Sequence, residues 1–206
     1  MWRVRNSIRK LREDPEWHHY RKRESRDWVR AFGIPGYPFG TLRNHALHVF
    51  EGQVRGYRTT LFQLAGVRIG GRYVTDVHRY SVAVLTLPGN LPGTAVSVAG
   101  LVRGLHTEPF PPGAGSPVHL PAGRKPRMSK CSVDPAFADL VITERVVRMT
   151  AEAKMGWRLH GNHMIGWIKE MKPYERIIAL AETMADILAE FPASAATWDT
   201  GHRRPA

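Results

Sequence analysis

The chain has 206 residues, of which 43% are hydrophobic and 23% are charged, a composition typical of one globular domain with an apolar core. Its single cysteine, Cys131, excludes an internal disulfide and is consistent with a reducing compartment. The sequence has no uninterrupted apolar run of about 18 residues, which a membrane-spanning helix requires, and its start lacks the apolar stretch of a secretory signal. We therefore expect a cytoplasmic protein.

The positive charge is concentrated in the first two-thirds of the chain. The formal net charge is +12. Residues 1–44 hold 11 Lys and Arg against 5 Asp and Glu, residues 45–133 hold 10 against 3, and residues 134–206 hold 9 against 10. Arginine outnumbers lysine 23 to 7, which is explained either by a GC-rich genome or by recognition of phosphate and carboxylate groups.

Residues 1–44 are predicted to form a basic helical arm followed by a Gly/Pro linker. Asp14 and Pro15 have the pattern of an N-cap followed by proline at the first helical position. Three aromatic residues would share one face of the helix that follows: Trp17, Tyr20 and Trp28. Five cations would lie on the opposite side: Arg21, Lys22, Arg23, Arg26 and Arg30. The two prolines and three glycines of residues 33–40 are expected to end the helix.

Between about residues 45 and 105 the pattern changes to strands. A hairpin is predicted to turn near Gly52, and Gly70-Gly71 indicates a second turn. The apolar run from Val82 to Leu87 is typical of a central, buried strand. Residues 88–93, which are rich in Pro and Gly, should turn the chain into a short strand over residues 94–98.

Residues 107–126 contain six prolines and three glycines, which argue against both helix and strand and predict a long loop. A strand is expected over residues 127–133. Asp134-Pro135 repeats the cap-and-proline signal and predicts a short helix, and Thr143-Glu144 should begin another that runs to about Lys154.

The last third of the chain is predicted to hold a hairpin and a closing helix. Gly161-Asn162 would form the two-residue turn between strands at residues 157–160 and 163–168. Lys172-Pro173 should begin the closing helix, on which apolar residues recur at helical spacing. These residues are Ile177, Ala181, Met184, Leu188 and Phe191. Residues 192–206 are expected to be a frayed tail.

This order of elements predicts an α+β fold, in which an antiparallel sheet is packed by a C-terminal helix and short helices and preceded by the arm. Residues 45–191 would form a single domain. Helices and strands do not alternate regularly, which argues against a doubly wound nucleotide-binding fold.

The sequence offers no recognisable catalytic or cofactor-binding motif. No phosphate-binding glycine loop and no Gly-x-Ser-x-Gly are present. Cys131 is interpreted as structural, since its neighbour Lys130 would point to the other face of the strand. Histidines occur in close pairs, at residues 18 and 19, 45 and 48, and 160 and 163, but the remaining ligands of a metal site are missing. We therefore predict no cofactor and no metal.

Two stretches resemble a family of uncharacterised actinobacterial proteins, in which a similar domain often follows membrane helices. The first combines Phe50–Tyr57 with His78–Pro88, and the second is Trp157–Trp167. The resemblance covers about residues 45–191 and implies no activity, cofactor or catalytic residue. This chain has a basic arm where the family has membrane helices, and its Pro-rich insertion is also a departure. It fits either a host protein or a phage-borne member.

Our leading hypothesis is a non-enzymatic interaction domain that binds another protein through the basic arm and the strand region. A nucleic-acid-binding protein is the second hypothesis, in which arginines of residues 1–44 contact phosphates and the aromatic residues stack on bases. Alternatively, those aromatic residues pack against the sheet, or the arm lies on an anionic membrane surface. The third hypothesis is an enzyme with an unrecognised site near His78, His160 and His163.

Overall fold

An eight-stranded antiparallel sheet organises the protein, which is an α+β domain as the sequence predicts. The computed structural model describes residues 2–20, 43–70, 73–98, 115–118 and 128–198. The strands are β1 (His18–His19), β2 (Arg43–Val54), β3 (Tyr57–Gly70), β4 (Tyr73–Leu91), β5 (Thr94–Val98), β6 (Gly115–Val118), β7 (Met128–Ser132) and β8 (Gly156–Lys169). Their order across the sheet is β1-β2-β3-β4-β8-β5-β7-β6.

Five helices lie in the described segments, and two of these five begin at N-caps that the sequence predicts. They are α1 (Trp2–Glu13), α2 (Pro135–Val141), α3 (Glu144–Glu152), α4 (Tyr174–Ala189) and α5 (Ala193–Ala196). The Asp134 carboxylate accepts a hydrogen bond from the Phe137 N–H at 3.0 Å, and the Thr143 hydroxyl accepts one from the Val146 N–H at 3.3 Å. Both predicted N-caps are confirmed, because a side-chain oxygen satisfies an N–H that the first helical turn leaves unpaired.

The sheet buries side chains on both of its faces. On one face, residues from all five helices form a large apolar cluster with strand residues such as Leu61 and Leu85. Helix α4 approaches β8 so closely that a Cβ on Gly166 would lie 2.3 Å from the Met184 Sδ. The other face carries a second cluster that includes Phe62, Val82, Val84, Ile165 and Trp167. Successive residues of β4 therefore enter different clusters, which confirms the central, buried strand.

The β8 segment contains the predicted hairpin at Gly161-Asn162. The chain reverses there: the first arm, residues 156–158, pairs with β5, and the second arm, residues 161–169, pairs with β4. A Cβ on Gly156 would lie 2.5 Å from the ring of Trp167, although eleven residues of straight strand would span roughly 36 Å. The two arms of β8 therefore lie side by side, and Gly161, with a φ of +58°, provides the positive φ required at the first central residue of such a two-residue turn.

Of two other predicted turns, one lies further along the chain, and the other is confined to residues 92–93, after which β5 begins at residue 94 as predicted. The β2–β3 hairpin turns at Arg55 and Gly56, whose φ values of +50° and +81° are typical of a two-residue hairpin turn, whereas Gly52 lies inside β2 opposite Thr59. Strand β4 continues through the Pro-Gly sequence at residues 88–89 to Leu91, with a shift of register against β8 after Thr86. Pro and Gly are tolerated here because the irregularity leaves their backbone outside the regular ladder.

The predicted loop and tail also contain ordered segments. Residues 115–118 form β6 at one edge of the sheet, where Pro117 is tolerated because an edge strand does not need every N–H for pairing. Beyond Pro192, helix α5 leads to Trp198, whose indole N–H donates to the Asp134 carboxylate at 2.9 Å. The expected frayed tail is thus packed as far as residue 198; residues 199–206 lie outside the described part of the chain.

Candidate interaction surface

Helix α1 is docked on the body through one of its faces. Ser7, Ile8 and Leu11 are buried, and α1 packs against α4. The Ser7 hydroxyl donates to the Val4 carbonyl at 2.8 Å and accepts the Tyr174 N–H at 3.1 Å. The N-cap residue of α4, Pro173, makes no side-chain cap bond. Ser7 of α1 takes over this role, since its hydroxyl accepts the first N–H of α4.

The outer face of α1 is strongly basic and carries an exposed aromatic ring. Trp2 is 76% exposed, and the exposed cations of the helix outnumber its one acidic residue, Glu13. We call this surface the α1 basic face; its residues are Trp2, Arg3, Arg5, Arg9, Lys10 and Arg12. Since the opposite face of the helix is anchored, these side chains are held on a fixed element rather than on a free arm.

Trp17 and Tyr20 lie outside any helix, contrary to the predicted helix after Asp14-Pro15. The chain turns at residues 15–16 and enters β1, which pairs His18 with Glu51 and His19 with Phe50. The ring of Trp17 rests on Gly52, where an added Cβ would come within 2.8 Å of it. The local cap signal is overridden because pairing with β2 and burial of the indole stabilise an extended chain instead.

Tyr20 takes part in a polar network at the edge of the sheet. Its hydroxyl donates to the Glu51 carboxylate, which also accepts a hydrogen bond from Arg58. Burial alone would raise the pKa of Glu51, but the hydrogen bonds from Arg58 and Tyr20 outweigh it and hold that pKa below its usual value. Tyr20 is thus tied to the sheet. The other predicted binding residues lie outside the described segments: Arg21, Lys22, Arg23, Arg26, Trp28 and Arg30.

A compact group of basic side chains, which we call the histidine corner, lies where α1 meets β1 and β2. It consists of Arg12, His19 and His48. The Arg12 Nη2 is 3.4 Å from the His19 Nε2, and the rings of His19 and His48 are stacked with centroids 6.4 Å apart. Spacing in the sequence gave no signal for this group, since β-sheet pairing brings residues 19 and 48 together.

Two of the histidines considered for catalysis flank the hairpin turn of β8. His160 and His163 lie on either side of Gly161, both half-buried. Burial, Arg158 and His163 lower the pKa of His160, and burial lowers that of His163. Arg158 is itself only 1% exposed, and burial lowers its pKa to about 10. The side chain of His78 lies outside the described residues.

Neither a metal centre nor a reactive thiol is evident in the described segments. They contain no group of three His, Cys, Asp or Glu side chains that could hold a metal ion. Cys131 is buried in the second apolar cluster, and burial raises its pKa, whereas Lys130 pairs with Asp139 of α2 at 2.8 Å. The two neighbours thus point to opposite faces of β7, as predicted from strand geometry.

The comparisons with protein-family models and with curated proteins give no match. Among solved structures, the chain is similar to the crystal structure of the mycobacterial trehalose monomycolate transport factor A, TtfA, with a TM-score of 0.60 and 15% sequence identity. The similarity covers 92% of this chain and 95% of that chain. The protein shares its fold with TtfA.

TtfA is named for a role in transport rather than for a reaction. Its similarity extends over nearly the whole of both chains, so the fold is shared as a unit. Within the part of our chain that the structure describes, no helix is long and apolar enough to cross a membrane.

Proposed function

We propose that this protein is a non-enzymatic interaction domain that binds another protein through the α1 basic face and the adjoining strands. The observation that supports this most directly is the exposed Trp2 on a helix that carries five cations and is anchored by Ser7 and Trp17. Tryptophan and arginine are the residues that most often dominate the energy of protein interfaces. A pre-ordered helix also binds without the entropy cost of folding a free arm.

Protein is favoured over nucleic acid as the partner because, within residues 2–20, few rings are available for stacking on bases. Trp17 is 9% exposed and lies against the sheet, and Tyr20 is engaged by Glu51. Single-strand binding needs several exposed aromatic residues along a basic groove. In residues 2–20 only Trp2 is a large exposed aromatic residue. An acidic surface on a partner protein would complement the α1 basic face.

The shared fold with TtfA, a transport factor, suggests the setting of this interaction. We propose that the partner belongs to a transport assembly and that this protein is an accessory to it. A place in the actinobacterial family that the sequence resembles is part of the same proposal. The single cysteine, which is buried, is in keeping with a cytoplasmic setting.

Site-specific photo-crosslinking tests the proposed surface. A photoreactive amino acid replaces Arg9 on the α1 basic face or, as the control, the exposed Glu182 on α4. We expect a discrete protein adduct from position 9 in lysate of an actinobacterial host treated with nuclease, and none from position 182. The adduct should decrease at high salt, because cations contribute to the contact.

Substitutions then locate the contact. Trp2→Ala and Arg5→Glu should each reduce the adduct several-fold, whereas Lys154→Glu, the same charge reversal at an exposed site at the end of α3, should leave it unchanged. An adduct that contains nucleic acid and disappears after nuclease treatment would favour the nucleic-acid hypothesis. Equal adducts from positions 9 and 182 would refute the proposed surface.

A further inference from the structure

The histidine corner is built from three different elements that hold its side chains in place. Arg12 comes from the last turn of α1, His19 from β1 and His48 from β2. The His19 ring packs on Phe50 with centroids 4.7 Å apart, which fixes its position over the sheet.

His48 is placed by an unusual backbone. Its φ of +52° falls where the β2–β3 register shifts between Leu47 and Phe50, as in a β-bulge, which redirects a side chain. The buried Tyr174 hydroxyl of α4 donates a hydrogen bond to the His48 carbonyl. A non-glycine residue in this conformation is costly and is often found at functional sites.

The charges around His19 are all of one kind. Burial, Arg12, His48 and His18, in that order, lower the pKa of His19 to about 4, and burial and Arg12 lower that of His48. From α4, Tyr174 faces the same region, and burial raises its pKa, so it is uncharged at neutral pH. No carboxylate is among the groups that act on His19 in the described residues.

The contact between Arg12 and His19 also shows which form the ring takes. A guanidinium can only donate hydrogen bonds, so in the 3.4 Å contact the His19 Nε2 must accept and the ring must be neutral. The Arg12 guanidinium and the two imidazole rings face one another, and no carboxylate of the described residues acts on His19, so a bound anion would stabilise the arrangement.

We propose that the histidine corner binds an oxyanion of the phosphate class, with Arg12 as the principal donor and His19 and His48 as ring N–H donors. The planar guanidinium matches two phosphate oxygens at once. Arg12 is exposed and both histidines are half-buried, so the corner is open to an anion. This site shares Arg12 with the α1 basic face but does not require Trp2, Arg5 or Arg9, so substitutions at those three positions test the protein contact separately.

Binding should be coupled to proton uptake. An imidazolium attracts an anion more strongly than a neutral ring does, so the bound anion raises the pKa of His19 from about 4. By linkage, affinity increases as the pH falls. Sulfate, whose charge is constant over this range, separates protonation of the protein from protonation of phosphate.

The test is an NMR titration of the histidine ring signals of the full chain with inorganic phosphate, repeated with sulfate. We expect saturable shifts at His19 and His48 and an increase of the His19 pKa by about one unit or more. Arg12→Gln should weaken binding about tenfold, the loss expected for a charge-assisted contact. Arg9→Gln, the same change on the same helix, should have less than about a threefold effect.

A vesicle arm distinguishes the source of the phosphate group. Phosphatidylglycerol vesicles that shift the same rings, while phosphatidylcholine vesicles do not, would indicate a lipid headgroup, and a response to inorganic phosphate alone would indicate a soluble ligand. Both results support the site. If Arg12→Gln disturbs the fold, His48→Gln replaces it. Shifts of equal size at His160, or shifts unaffected by either substitution, would overturn the proposal and indicate an adventitious ion only.

Discussion

Replacing Trp17 by alanine tests whether residues 2–20 fold as part of the body. The ring lies directly on Gly52, whose missing side chain makes room for it, and only 9% of Trp17 is exposed. Burial of an aromatic side chain removes roughly 150–250 Å² from water, which at about 25 cal/mol per Å² corresponds to about 4–6 kcal/mol. Measured Trp→Ala changes are about 3–5 kcal/mol.

We expect a loss of about 3 kcal/mol, at the lower end of that range, because Trp17 lies near the sheet edge and its surroundings can collapse. Urea denaturation measures the free energy of unfolding, and hydrogen exchange of the α1 amides shows whether α1 detaches first. Trp2→Ala is the matched control, since its ring is 76% exposed and its loss should cost less than about 0.5 kcal/mol. Equal effects of the two substitutions, or unchanged α1 protection in Trp17→Ala, would refute the docking of α1 through Trp17.

The remaining predictions concern the body. Thr150→Val should destabilise the fold by about 1–3 kcal/mol in chemical denaturation, because the buried Trp157 N–H, which donates to the Thr150 hydroxyl at 2.9 Å, loses its acceptor. Hydrogen bonds from Phe137 and Trp198 hold the pKa of Asp134 below its ordinary value. The ionised carboxylate therefore contributes to the free energy of unfolding above about pH 4, and this contribution is lost as the pH falls through the lower pKa of the folded state. Asp134→Asn should accordingly make the stability of the protein less dependent on pH on the acid side. Cys131 should react with a thiol reagent slowly when folded and rapidly in denaturant, since burial hides the thiol and raises its pKa; fast labelling of the native protein would contradict its burial.

Signals that act within a few residues predicted the structure well. The caps at Asp134 and Thr143 were recognisable because a capping side chain contacts an N–H only two or three residues away. The closing helix could be predicted from its apolar spacing, and Ile177, Ala181 and Met184 are indeed buried. The buried strand in β4 was evident because a strand covered on both faces is apolar throughout.

Which distant segments of the chain pair with one another could be learned only from the tertiary structure. Gly161-Asn162 indicates the hairpin within β8, but only the tertiary structure shows that its two arms lie between β5 and β4. Likewise, Asp14-Pro15 is a valid helix start that loses to pairing with β2 and to burial of Trp17.

The strongly basic character of the first part of the chain was thus determined by the sequence itself, since charge depends on composition alone. Its arrangement was decided by the fold. Docking of α1 leaves Trp2 exposed among cations while Trp17 is buried, although both are tryptophans in a basic segment. The meeting of Arg12, His19 and His48 likewise arises from long-range pairing and helix packing, because contact energies between distant residues are realised only when the whole sheet has formed.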